Sequence, residues 1–194
     1  MTYNINFSDD IDKAIEILKK GGIILYPTDT IWGLGCDATN DSAIEKILTL
    51  KKSPINKSML ILVPDITWLS KYLKEVPEMA INILNVAIKP ITIIYPGAIN
   101  ISNKLIADDG SIGIRVTSDK FCKSLLTIFK KPIVSTSANF NKSNPPSTFR
   151  EIDQMIVKEV DYVVKWRQND TSPGKASEII KIELNGEIKI IRPA

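Results

Sequence analysis

Residues 8–26, SDDIDKAIEILKKGGIILY, decide the fold class, because they place an amphipathic helix directly before a buried strand. Ile11, Ala14, Ile15 and Leu18 recur at helical spacing, so one face of the segment is apolar and needs a surface to cover it. A Ser/Asp cap opens the helix, and Gly21-Gly22 stops it, since glycine adopts the backbone that closes a helical end without strain. The run that follows, GIILYP, is short, apolar and β-branched, and Pro27 ends it. It reads as a buried strand.

The same alternation continues outward. Residues 41–51 form a second amphipathic helix, and SMLILVP (58–64) a second buried strand. Residues 66–88 read as helical with a break near Pro77, and ITIIYP (91–96) and IGIRV (112–116) as strands. Residues 119–131 form a helix with Phe121, Leu125, Ile128 and Phe129 inward. PIVSTSAN (132–139) is a strand running into a polar loop, residues 148–160 are helical, and DYVVKW is a strand. Two β-rich runs flank Asn185-Gly186, a hairpin signal. Strands alternating with helices predict an α/β protein: an open, mixed sheet with helices packed on it, in one domain over residues 1–194. The loops 139–147 and 168–175 are suited to cover a site.

Composition removes whole classes of chemistry. The chain has no histidine, which excludes the Ser-His-Asp triad, the Cys-His pair and histidine-ligated metal together. Cys36 and Cys122 are 86 positions apart with no short-range partner, so neither a disulfide framework nor a zinc site is indicated. No apolar run approaches the roughly 18 residues of a membrane span. The N-terminus is polar and acidic, unlike a signal or transit peptide. A reduced, cytoplasmic setting with no membrane partner is the expectation. The net charge of +3 leaves room for no more than a local basic groove.

In α/β sheets, functional groups gather in the loops that follow strands. Here those positions hold Thr28-Asp29-Thr30, then Lys51-Lys52-Ser53 with Lys57 further on, then Ser135–Asn139, with Ser177 and Arg192 near the end. Arg115 sits alone in an apolar strand. This set of hydroxyls, an amide, lysines and arginines suits anion recognition and charge stabilisation. Each residue also has a plainer reading. The threonines cap a turn, the lysines face a helix C-terminus, Arg115 lies on a solvent side, and Gly33 and Gly35 serve backbone geometry. There is neither a P-loop nor a dinucleotide fingerprint.

YPTDTIWGLGCDA (26–38), KKSPINK (51–57), SIGIRV (111–116) and PIVSTSAN (132–139) resemble the signature blocks of the YrdC/TsaC-type threonylcarbamoyl-AMP synthases, in the short form. SPGKASEII and EIKIIRPA are similar to the closing blocks of that family. The resemblance implies an open twisted sheet with a concave basic face. It implies an enzyme, a nucleotidyltransferase that joins L-threonine, bicarbonate and ATP, the last with Mg²⁺, into threonylcarbamoyl-AMP and pyrophosphate. The product serves N6-threonylcarbamoyladenosine modification of tRNA through a partner transferase complex, and family members bind double-stranded RNA. A non-catalytic double-stranded RNA or tRNA binder on the same fold is the rival reading. Residue by residue, the resemblance places threonine at Thr30, Ser135 and Ser177, with Arg115 on its carboxylate. It places ATP at Lys51, Ser53, Lys57, Ser111, Ser137, Asn139 and Arg192, and it makes Lys51 and Arg115 the catalytic pair. It implies no protein-bound metal. The family's Lys-x-Arg element reads Lys51-Lys52-Ser53 here, so a hydroxyl replaces a bidentate cation.

Overall fold

The computed structural model describes residues 7–53 and 59–193. In chain order the elements are α1 (Ser8–Lys19), β1 (Ile24–Tyr26), β2 (Gly33–Gly35), α2 (Asp41–Lys51), β3 (Leu60–Val63), α3 (Leu69–Tyr72), α4 (Glu78–Val86), β4 (Ile91–Tyr95), β5 (Ile112–Val116), α5 (Lys120–Phe129), β6 (Ile133–Ser137), α6 (Gln154–Glu159), β7 (Tyr162–Val163), β8 (Glu178–Ile182) and β9 (Ile188–Arg192). Short 3-10 turns at 66–68, 103–105 and 149–151 link them. The nine strands form one mixed sheet in the order β7-β1-β2-β6-β3-β5-β4-β8-β9.

Alternation along each strand divides the core into two layers. Leu25, Ile61, Val63, Ile114, Val134, Ile180 and Ile182 point to one face, beneath Ile44 and Ile47 of α2, Leu69 of α3, Ala80 of α4 and Ile156 of α6. Ile24, Tyr26, Leu62 and Ile133 point to the other, beneath Ile11, Ile15 and Leu18 of α1 and Phe121, Leu125 and Phe129 of α5. Side chains this buried each stabilise the fold by roughly 1.5–3 kcal/mol. The second layer stops short. On the same face of β5, β4 and β8 stand Gly113, Arg115, Thr92, Ile94 and Ile179, which among the described residues line a cavity instead.

Several expectations are revised. The N-cap residue of α1 is Phe7, one position before the expected Ser/Asp, and among the described residues no side chain caps it. Asp10 instead crosses to the far end of the chain, accepting from the Tyr162 hydroxyl (2.5 Å) and the amides of Lys165 (3.0 Å) and Trp166 (2.7 Å). Ile128 faces solvent, 56% exposed, while Phe121, Leu125 and Phe129 are inward. The helix expected over 148–160 is a single turn followed by a shorter helix, α6, capped by Asp153 at the Met155 amide. β2 was not anticipated. Its two glycines make poor strand formers, but any side chain at Gly35 would meet the Tyr26 ring at 2.6 Å and Ile133 at 2.9 Å. The hairpin around Asn185-Gly186 is present, with Gly186 at φ +85° and the Glu187 amide on the Asn185 side chain. β9 carries one extra residue against β8: Ile180 faces Ile190, yet Ile179 faces Arg192.

Candidate active site

The cavity measures about 290 Å³ and opens on the uncovered face. Strand register explains its floor. Gly113 lies opposite Ile94, Thr92 opposite Ile179, and Ile179 opposite Arg192. Arg115 and Arg192 therefore reach the same space from β5 and from the sheet edge. Burial lowers the Arg192 pKa, and the Arg115 charge lowers it further. Two guanidiniums that repel each other across one cavity make it a place for an anion.

Each wall is built locally. After β1, the Thr28 hydroxyl donates to the Ile31 carbonyl (2.7 Å), accepts from the Thr30 amide (3.0 Å) and lies 2.9 Å from the Thr30 hydroxyl. This turn presents Thr30 and Trp32 to the cavity. Arg115 is 4% exposed, not on a solvent side, and its Nε lies 3.2 Å from Asp29 Oδ1. The approach is off the hydrogen-bonding direction, so both atoms lack a hydrogen-bond partner and the pair is held by charge. The Ser111 amide and hydroxyl both donate to Asp109. The Ser177 hydroxyl pairs with Thr92 at 2.8 Å, and the Ser177 carbonyl accepts both Nε and Nη2 of Arg192. Above the floor, Pro145 and Ala176 close the cavity. Their loops are tied by the Gly174 amide donating to the Ser147 carbonyl at 2.8 Å.

Of the residues expected at the site, Thr30, Ser111, Arg115, Ser135, Ser137, Ser177 and Arg192 line this cavity. Lys51 stands behind it. Its ammonium, at the end of α2, donates to the backbone carbonyls of Ser137 (2.5 Å) and Asn139 (2.6 Å), and burial lowers its pKa to about 8. The Asn139 amide donates to the carbonyls of Phe140 and Ser143, while its buried Oδ1 has no hydrogen-bond partner among the described residues. Ser53 follows α2 and bonds back to Leu48 through its amide. Lys57 lies outside the described residues. Asp29, noted in the sequence only as part of the turn after β1, supports the site, and so do Thr92 and Asp109, which went unread. For Thr92 a signal existed: it is the one polar residue in ITIIY, the same pattern that marked Arg115.

Two guanidiniums and a ring of hydroxyls on the open face of an α/β sheet make a site chemically suited to carboxylate and phosphate ligands. Comparison with known proteins specifies the class. Residues 16–194 match the Sua5/YciO/YrdC family model, whose description reads telomere recombination, and the chain belongs to that family. A threonylcarbamoyl-AMP synthase of Psychromonas ingrahamii is 35% identical over 151 residues, 76% of this chain and 78% of that one. Escherichia coli YciO superposes with a TM-score of 0.82 at 27% identity, covering 95% of this chain and 88% of that one. Pyrococcus abyssi Sua5, in a crystal structure complexed with L-threonine, has the same fold, with a TM-score of 0.81 at 20% identity over 94% of this chain. The chain spans 53% of that longer protein.

Proposed function

We propose that the cavity joins L-threonine, bicarbonate and ATP into threonylcarbamoyl-AMP, with release of pyrophosphate. The observation that carries this is the pair Arg115 and Arg192 in one hydroxyl-lined cavity, in a chain whose relatives are named threonylcarbamoyl-AMP synthases. Arg115 takes the threonine carboxylate, with Thr30, Ser135 and Ser177 around the amino acid. Arg192, Ser111, Ser137 and Asn139 take the nucleotide, and Lys51 holds the Ser137–Asn139 loop in place. The threonine nitrogen adds to the bicarbonate carbon, and water leaves. A carbamate oxygen then attacks the α-phosphorus, and pyrophosphate departs. With no histidine in the chain, the amine proton passes to bicarbonate or a phosphate oxygen. The chain's own task is positioning and charge neutralisation.

Among the described residues, no three His, Cys, Asp or Glu side chains cluster to hold a metal. Asp29 is engaged by Arg115, Thr117 and Ser118, and Asp109 by Ser111 and Lys181. In this reading Mg²⁺ accompanies the triphosphate. No helix among the described residues is long and apolar enough to cross a membrane, which suits a cytoplasmic enzyme acting as one domain. The product is a reactive mixed anhydride, so it is handed to a transferase complex for the threonylcarbamoyladenosine modification of tRNA. A non-catalytic double-stranded RNA binder is not favoured, because it has no use for a concave, hydroxyl-lined cavity of this size and the relatives are named as synthases. The test is pyrophosphate release with ATP, bicarbonate and each of the twenty amino acids. Release with L-threonine that requires bicarbonate is expected. No release, or release indifferent to the amino acid, refutes the proposal.

A further inference from the structure

We infer that Asp29 is a positioning residue that sets which edge of the Arg115 guanidinium faces the substrate carboxylate. The inference rests on the reading of Arg115 as the carboxylate holder. Asp29 stands in the turn after β1, and Arg115 in β5. Both side chains are nearly sealed from solvent, 5% and 4% exposed. The carboxylate divides its two oxygens. Oδ2 accepts from the Thr117 hydroxyl (3.1 Å) and the Ser118 amide (3.0 Å), which fixes it to the end of β5. Oδ1 is left for the charge of Arg115, with Nε at 3.2 Å.

That geometry occupies the inner side of the guanidinium. One Nη remains in loose contact with the Thr28 hydroxyl at 3.5 Å, and the residue lines the cavity. A carboxylate is recognised best by two parallel N–H groups in one plane. A counter-charge fixed on the Nε side keeps the fork's outer edge toward the ligand. It also keeps a buried cation from standing uncompensated while the cavity is empty. Neither oxygen of Asp29 is available as a base or as a ligand for the substrate, so its effect runs through Arg115.

The test compares Asp29→Asn with Arg115→Ala by calorimetric titration of L-threonine and of L-threoninamide, whose carboxylate is replaced by a neutral amide. Asparagine keeps the size and retains an acceptor for Thr117 and Ser118 but loses the charge. Asp29→Asn is expected to weaken L-threonine roughly tenfold, as for loss of a well-aligned charged contact, with little change for L-threoninamide. The ratio of the two affinities therefore falls. A merely structural loss lowers both equally and leaves the ratio unchanged, which overturns the inference. If Arg115→Ala lowers the ratio and Asp29→Asn does not, positioning by Asp29 fails while the reading of Arg115 stands. If Arg115→Ala leaves the ratio unchanged, the reading itself fails and the inference with it. Should Asp29→Asn not melt cooperatively, Thr117→Val is used. It removes one anchor of the carboxylate and keeps its charge, and an unchanged ratio there overturns the inference.

Discussion

Gly174 can be tested by one added carbon. Its backbone is not in the left-handed region, so alanine is tolerated there conformationally. The obstacle is space: an added Cβ would lie 2.2 Å from the Thr30 carbonyl oxygen and 3.2 Å from Ile31 Cα. Both obstacles are backbone and cannot swing aside. Ordinary contact begins near 3.4 Å, so Gly174→Ala forces the covering loop and the Thr28–Ile31 turn apart by roughly 1 Å. The bond from the Gly174 amide to Ser147 is strained at the same time. Overpacking of this kind costs about 1–3 kcal/mol, a fall of about 2–12 °C in Tm for a chain this size. The larger effect is on catalysis. A displacement near 1 Å at a group that orients substrate costs on the order of a hundredfold, and Thr30 is the group displaced. Pyrophosphate release at saturating ATP and varied L-threonine should show a drop in kcat/KM far beyond the loss of stability. Gly186→Ala is the control: its added Cβ meets nothing within 4 Å, and it should leave kinetics unchanged. A Gly174→Ala enzyme with the parental threonine kcat/KM would refute the claim that this contact holds the site together.

Lys51→Met should release the carbonyls of Ser137 and Asn139 and weaken ATP binding roughly tenfold to a hundredfold by calorimetry. Lys51 also has a pH signature: its pKa falls from 10.5 to about 8 on burial. Between those values the unfolded chain binds more protons than the folded one, so this group's contribution to stability rises with pH. ATP affinity falls over the same window as the ammonium is lost, and both trends should be absent from Lys51→Met in melts and titrations across pH 7–10. Gly35→Ala should lower stability by about 2–3 kcal/mol in urea unfolding, because Tyr26, Ile133 and the Val134 carbonyl already fill its space at 2.6–3.0 Å. Ser53→Arg restores a charge-assisted donor beside Lys51 and should tighten ATP tenfold or more. Equal affinity in calorimetry would mean that the phosphate clamp is already complete without it.

How much was legible in the sequence depended on how local the cause was. α2 and α5 announced themselves through apolar spacing, and the structure adds side-chain caps at Asn40 and Asp119. The hairpin followed from Asn185-Gly186 alone. β2 was hidden because its cause lies in other strands: Tyr26 of β1 and Ile133 of β6 demand glycine at position 35. Arg115 stood out as a charge in an apolar run, yet its partner Asp29 is 86 positions away and looked like turn chemistry. Lys51 reads locally as a dipole partner at a helix C-terminus, and only the family resemblance places it at the nucleotide. Its bonds to Ser137 and Asn139 depend on where β6 ends relative to α2, a tertiary fact that no local pattern encodes.

The supernumerary residue in β9 works as a parity device. Counted back from Ile188 and Ile190, which lie opposite Ile182 and Ile180, regular alternation would send position 192 to the helix-covered side of the sheet. Ile191 is the odd step, and it turns Arg192 over to the side of Ile179, where the cavity lies. A bulge next to a site re-aims a side chain in this way. Pulled straight with Ile191 kept, β9 would set Ile191 opposite Ile179 and turn Arg192, with its positive charge, to the other surface of the protein.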